Sequence, residues 1–288
     1  MRIRIGRIFT MGSLAAIGLV FLGTAAQAQL VRYVASNGDN ANNCQRATPC
    51  RTLQKGINKT PAGGELQILD SGTYGNTATI GKSITISADG VSATIGALTI
   101  DAPGETVVLR GLMLNGSSFA ADTNGIHIVA GPFGANNVLV HILRCEIERF
   151  PGSPGSGGAG ITIDAATNAY VVISNTIIRD NDGPGIINNS AGAHVLVKSS
   201  TVANSGAAGI VQAGASPSQM SIESSVVAGN GSGVGAVNGT LRISDSVITG
   251  NSVGLSQAGG STVLSRRNNT VSGNNQETNG IITTLDGI

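Results

Sequence analysis

The sequence has no tryptophan, and its rings are limited to three tyrosines and five phenylalanines. That scarcity argues against a β-propeller, whose blades are longer and carry a regular aromatic signature. It also leaves few candidates for the stacking platforms common in sugar-processing sites. Charge is scarce too, at 11% of residues, yet 41% of the chain is hydrophobic, which excludes a disordered, charge-solvated chain. After residue 28, Gly, Asn and Ser interrupt every apolar run, so no later segment is long enough to span a membrane as a helix.

Residues 1–28 have the pattern of a signal peptide. Arg2, Arg4 and Arg7 make a basic start, an apolar run covers residues 14–22, and Ala26-Gln27-Ala28 offers small residues for cleavage. Left uncleaved, the same segment would act as an N-terminal anchor. Removing it leaves 14 basic against 16 acidic residues, a net charge of −2. That balance argues against nucleic acid as a partner, which calls for a basic face. Of the three cysteines, Cys44 and Cys50 lie close together in the exported part, where a disulfide is chemically reasonable. A metal site would need a further Cys or His at ligand spacing. The chain is therefore expected to reach the periplasm or the exterior.

What the sequence has in abundance is glycine, 42 residues of it, and repetition. Residues 139–149, 171–181, 195–205, 220–230, 241–251 and 264–274 share one pattern, with a weaker copy at 107–117. In each, two apolar residues flank one position, two polar residues and a small one follow, and an Asn-rich turn closes the unit. The second apolar residue serves as an anchor and falls at Leu109, Ile142, Ile173, Val197, Ile222 and Ile243, with Arg266 in the last copy. Five positions on stand Leu114, Ile147, Ile178, Val202, Val227, Ile248 and Val271, all aliphatic. A Gly-aliphatic pair then follows in every copy, from Gly125-Ile126 to Gly254-Leu255 and Gly280-Ile281.

A period near 22 residues fits a coil of three short strands and three sharp turns. Alternate residues of each strand face one interior. One coil cannot bury its own apolar face, so the coils must stack, about 4.8 Å apart. Leucine-rich repeats have a similar period but need a regular Leu pattern, which is missing. Three residues past the anchors stand Leu112, Cys145, Thr176, Ser200, Ser225, Ser246 and Asn269, which predict an inward ladder, mostly polar, bonded to turn backbone. Cys145 thereby reads as a buried structural thiol. Asn181, Asn230, Asn251 and Asn274 form a second column, placed where asparagine tolerates left-handed backbone. Ahead of the repeats, residues 52–58 predict a short amphipathic helix, with Leu53 and Ile57 on one face, that closes the open end. The segments 66–69, 84–86 and 98–100 read as the first strands.

Three stretches carry a family resemblance. Tyr33-Val34-Ala35-Ser36-Asn37-Gly38-Asp39, then Cys44 and Pro49-Cys50-Arg51-Thr52-Leu53-Gln54, then Thr60-Pro61-Ala62-Gly63-Gly64-Glu65-Leu66-Gln67-Ile68-Leu69 resemble the N-terminal cap of secreted bacterial right-handed β-helix proteins. The repeats resemble those of the pectate-lyase-type parallel β-helix. The expected fold is therefore all-β: one right-handed parallel β-helix, a single-chain solenoid over residues 66–288, behind a cap at 29–65. The resemblance also implies a leaning towards carbohydrate, with polysaccharide lyases, polygalacturonases, epimerases and tailspikes among its members; fold does not decide function.

The family's catalytic signatures are missing. A lyase of this kind uses an Arg or Lys base with acidic Ca²⁺ ligands. Arg149-Phe150-Pro151 begins like the pectate-lyase Arg-x-Pro-x-x-Arg motif, but Pro154 stands where the second Arg belongs. There is no adjacent Asp-Asp pair of the polygalacturonase kind. Gly155-Ser156-Gly157-Gly158-Ala159-Gly160 matches a dinucleotide string but leads into a strand rather than a helix. Asp180-Asn181-Asp182-Gly183 resembles a calcium loop that lacks its remaining ligands.

The irregular coils remain. Inserts at 117–124 and 149–159 lengthen two intervals between the same pair of strands, so they should project on one side, with the loop 130–137 on neighbouring coils. Phe119, Phe133 and Phe150 sit in them. Column register sets Glu148 beside Arg179 and Arg149 beside Asp180, and it points His127 outward. The candidate groove is thus Asp122, His127, Glu148, Arg149, Arg179, Asp180 and Asp182. The alternative is a set of surface ion pairs of little consequence. Two functions follow. One is a non-catalytic, secreted β-helix that binds a polysaccharide or cell-surface glycan, or serves the envelope or adhesion, with no cofactor. The other is a lyase or hydrolase acting on acidic polysaccharide, needing Ca²⁺ only as a lyase.

Overall fold

The computed structural model describes residues 30–120, 122–129, 137–153, 156–165 and 168–286; residues 1–29, where the signal peptide falls, Phe133 and most of the 130–137 loop lie outside them. Among the described residues the strands form three long parallel sheets, one of eleven strands and two of nine. Each coil contributes one strand to each sheet in turn. The coil beginning at Ala169–Ser174 continues through Ile177–Arg179 and Ile186–Asn188 before His194–Lys198 starts the next. These three sheets are called first, second and third, in the order the chain visits them.

Register follows the sequence columns closely. Leu109, Ile142, Ile173, Val197, Ile222 and Ile243 stack in the first sheet. Leu114, Ile147, Ile178, Val202, Val227, Ile248 and Val271 stack in the second. All but Val271 are fully buried or nearly so, and each such side chain removed from water contributes about 1.5–3 kcal/mol. The sequence expectation fails in the last coil. Ser265, not Arg266, pairs with Ile243, because one extra residue enters the turn before Val271. Ile281 likewise falls outside the aliphatic column: Thr278 pairs with Leu255, and Ile281 is 76% exposed.

From Val138 to Thr249 two turns bend each coil through a single left-handed residue, and the flanking coils keep one of the two. In the first turn it is Gly111, Arg144, Asn175, Ser199, Ser224 or Asp245, with φ between 48° and 67°. In the second it is Arg149, Asp180, Asn204, Gly229, Gly250 or Gly273. The asparagine column expected to be left-handed actually follows these positions. Its amides point inward and bond from coil to coil.

The inward hydroxyl ladder is continuous. The N–H groups of Cys145, Thr176, Ser200 and Ser225 donate to the hydroxyls of Thr176, Ser200, Ser225 and Ser246 at 3.2–3.4 Å. Ser246 N–H ends the run on Asn269 Oδ1 at 2.9 Å. Cys145 is a buried free thiol whose pKa burial pushes up to about 11, which suits packing rather than nucleophilic chemistry. In the asparagine column the Nδ2 groups of Asn230 and Asn251 donate to Asn251 and Asn274 at 3.0 and 2.9 Å. The Gly-aliphatic signature reflects close stacking: a Cβ on Gly125, Gly160, Gly185, Gly209 or Gly233 would lie 2.6–2.8 Å from the backbone carbonyl of the matching glycine in the next coil. A Cβ on Gly209 or Gly233 would lie 2.8 or 2.9 Å from the asparagine amide of the following coil.

The N-terminal end is closed as expected, by a helix α1 (Leu53–Lys59) that Thr52 caps through its side chain. Leu53, Gly56 and Ile57 face the core, and a Cβ on Gly56 would lie within 2.8 Å of Leu66 and Val34. A disulfide joins Cys44 and Cys50 beside the helix. Buried Tyr74 donates to Asp70, whose carboxylate also accepts the Ser36 N–H and hydroxyl, each at 2.8 Å. The Tyr74 hydrogen bond, above all, holds the Asp70 carboxyl below its usual range.

Candidate functional site

Strand Glu146–Glu148 lies beside Ile177–Arg179 in the second sheet, with Glu148 opposite Arg179 as the columns require. The Glu148 side chain is 1% exposed, so its charge must be matched nearby. Asn115 Nδ2 donates to its Oε1 at 2.7 Å, an Arg149 guanidinium nitrogen lies 3.1 Å from the same oxygen, and Arg179 meets Oε2. The rest of the Arg179 fork is taken by Glu146 Oε1, at 3.1 and 2.7 Å, and by Asp180 Oδ2 at 2.7 Å. These carboxylates, Glu146 foremost, raise the Arg179 pKa further. Asn204 Nδ2 donates to Asp180 Oδ1 at 3.1 Å. Glu146, Glu148 and Asp180 thus share the two guanidiniums of Arg149 and Arg179 in one network. The guanidinium at its centre is thereby held in its charged form.

The two inserts do meet on one side of the solenoid. Asp122 N–H donates to the Pro151 carbonyl, Ala159 N–H to Asn124 Oδ1, and Asp182 N–H to the Phe150 carbonyl, at 2.9–3.0 Å. Phe119 packs on Phe150 with ring centroids 6.4 Å apart. Phe150 belongs to the core: it is fully buried, occupies the inward asparagine column, and donates its N–H to Asn181 Oδ1. Asp122 is a left-handed turn residue (φ 71°) whose backbone lies against Gly157, where a Cβ would come within 2.1 Å.

Between this loop pair and the outer face of the third sheet lies a cleft of about 660 Å³. Its floor is Thr162 and Ile187, successive outward residues of neighbouring strands. Asp164 and Asn189 edge one side; Ala159, Asp182 and Pro184 are on the other. His127 occupies the same outward column, opposite Thr162. Its Nε2 lies 2.7 Å from Asp164 Oδ2, and Asn189 Nδ2 donates to Asp164 Oδ1 at 2.8 Å. The His127 hydrogen bond, with help from Asn189, holds the Asp164 carboxyl below its usual range. Thr162 is 5% exposed and its hydroxyl has no partner among the described residues.

The predicted groove is therefore split. Asp182 lines the cleft, and His127 reaches it through Asp164; Glu148, Arg149, Arg179 and Asp180 form the separate ion-pair cluster, and Asp122 shapes the insert. Sequence reasoning missed Thr162, Asp164, Ile187 and Asn189. The signal was there, one and two coils on from His127, in the outward positions of the Gly-aliphatic strands. Among the described residues no group of three or more His, Cys, Asp or Glu is placed to hold a metal ion. Also among them, no helix is long and apolar enough to cross a membrane.

Comparison with known proteins agrees with this architecture. A family described as right handed beta helix region matches residues 110–276, more than half of the chain, and the protein belongs to that family. No curated protein matches the sequence. Among solved structures, pectate lyase Pel9A is similar at 16% identity, with 90% of this chain and 78% of that one covered and a TM-score of 0.51. The mannuronan C-5 epimerase AlgE4 A-module of Azotobacter vinelandii is similar at 15% identity, covering 81% and 90%, with a TM-score of 0.47. At these identities the likeness is one of fold.

Proposed function

We propose that the protein is an exported β-helix that binds a glycan in the cleft on its third sheet without turning it over. One observation carries this reading. Glu148, Arg149, Arg179 and Asp180 are consumed in pairing with each other at the second sheet, away from the cleft, whose floor of Thr162 and Ile187 is uncharged and whose Asp164 is held by His127 and Asn189. The disulfide at the cap and the signal-like first 28 residues support a periplasmic or extracellular setting.

The test is a panel of polysaccharides offered to the purified protein with and without Ca²⁺, followed both for binding and for new reducing ends or unsaturated products. Binding without product is expected. Product formation that Arg179→Ala or Asp180→Ala abolishes would replace this reading with the enzymatic one.

A further inference from the structure

Charge is divided between the cap and the coils. Residues 29–82 hold six basic against three acidic residues, a balance of +3, whereas residues 83–288 hold eight against thirteen, a balance of −5. The structure sharpens the division. Among the described residues, six of the eight later cations pair with a carboxylate. In the cap, Arg46, Arg51, Lys55, Lys59 and Lys82 take part in none of the ion pairs among the described residues. Their partners are neutral: Arg46 stands 5.5 Å from the centre of the Tyr33 ring, Arg51 donates to the Thr73 carbonyl, and Lys82 donates to the Thr60 carbonyl. Asp70, the acid nearest to them, is spent on Ser36 and Tyr74.

Helix α1 turns this charge outward. Leu53, Gly56 and Ile57 face the core, so Lys55 and Lys59, one turn apart, fall on the opposite face. Lys59 is exposed and Lys55 half-buried, and the helix carries no acid. Exposed Arg46 lies in the disulfide loop beside it, where Cys44 Sγ is 3.9 Å from the Lys55 carbonyl. Residues 1–28, with their basic start and apolar run, join the solenoid at this same end: strand Val31–Val34 is the edge of the first sheet, and Val34 lies against Gly56 of the helix.

We propose that the capped end is a docking surface for an anionic phospholipid membrane, on which the solenoid stands end-on. Lipid fits better than a soluble polyanion because the export-type segment enters the fold here, which sets this face beside the bilayer as the chain is exported. The acidic coils are repelled by the same surface and point away from it, leaving the cleft on the third sheet open at the side. A few exposed cations, each strengthening binding about fivefold, give reversible and salt-sensitive adhesion rather than insertion.

The experiment is co-sedimentation of the exported chain, residues 29–288, with vesicles of phosphatidylcholine alone or with one-third phosphatidylglycerol. Binding is expected only to the anionic vesicles at low ionic strength, and it should vanish in about 1 M salt, where charges are screened within about 3 Å. Lys55→Gln together with Lys59→Gln should raise the lipid needed for half-binding roughly 25-fold. Glutamine forms helix about as well as lysine, so the denaturation midpoint should not move. Lys198→Gln together with Arg267→Gln, which removes two cations from the coils, should leave lipid binding unchanged. Equal binding to both vesicles overturns the proposal, as does no binding to either. It is also overturned if the two double variants lose affinity alike, or if soluble polyphosphate binds the cap while the anionic vesicles do not. The glycan-binding reading stands or falls separately from each of these outcomes.

Discussion

The coils between residues 112 and 163 and those between 195 and 274 share the same strands and the same aliphatic columns, but their turns are built differently. In the later coils the inward turn positions are Ser and Asn, which bond to one another and to backbone from coil to coil. In the earlier coils Leu112 and Cys145 stand in the hydroxyl column and Phe150 in the asparagine column, and the second turn carries inserts. The buried carboxylate of Glu148 and the cleft both lie where the ladder is interrupted. A turn tied down by its own side chains has little room for insertion. One filled by an apolar side chain can grow loops outward, and those loops create the concave surface.

The two regions should respond differently to matched changes. The largest effect is expected from truncating the shared column. Ile147→Ala and Ile248→Ala each remove a fully buried side chain, costing about 2–5 kcal/mol by urea unfolding. The loss should be smaller for Ile248, since its outer neighbour Val271 is only partly buried and can collapse into the space. A similar loss at both would show that the last coil packs as firmly as the middle.

Next comes the ion-pair cluster, which has no counterpart in the later coils. Arg179→Ala leaves the buried Glu148 carboxylate with only Arg149 and Asn115, and about 3 kcal/mol of stability should be lost, as when one partner of a buried pair is removed. Glycan affinity of the folded fraction should be unchanged, which separates the cluster from the cleft.

A gain is expected where the two regions meet. Asn181 Nδ2 and Ser205 Oγ are both unpaired among the described residues, because serine is too short to continue the asparagine ladder. Ser205→Asn has room under Gly185 as Asn230 has under Gly209. It should raise stability by about 1 kcal/mol, one buried hydrogen bond; a destabilised variant would mean that the site is already close-packed.

The smallest effect is in pH. The Asp164 carboxyl is held below its ordinary value of 3.8, mainly by His127. A depressed carboxyl contributes stability that is complete above its unfolded pKa and lost as pH falls through the folded one. Acid unfolding below 3.8 should therefore be shallower in His127→Ala than in the parent, while the two converge at the lowest pH.

Columns and cap were legible in the sequence because each coil repeats the same steric demand. Inward positions must be aliphatic, turn positions must bond their own backbone, and the residue stacked against the next coil's backbone carbonyl must be glycine. The ion pair Glu148–Arg179 followed from the same register. The failures lie where the count changed. One extra residue in the last first-sheet turn shifted Arg266 out of its expected column, and Ile281 lies three residues past Thr278, the residue that actually stacks on Leu255. The left-handed residue was misplaced by one position because side-chain type alone does not distinguish the residue that bends the chain from the one that caps the bend.

The amino-acid sequence by itself determined a stacked, glycine-punctuated solenoid, because period and alternation are local properties that every coil restates. Only the tertiary structure decided which acids and bases face each other and which face a cleft. Insert loops carry no repeat, so their path depends on where neighbouring coils place Gly157, Phe150 and Asp182, and through that path Thr162 and Asp164 became the floor and edge of a cleft.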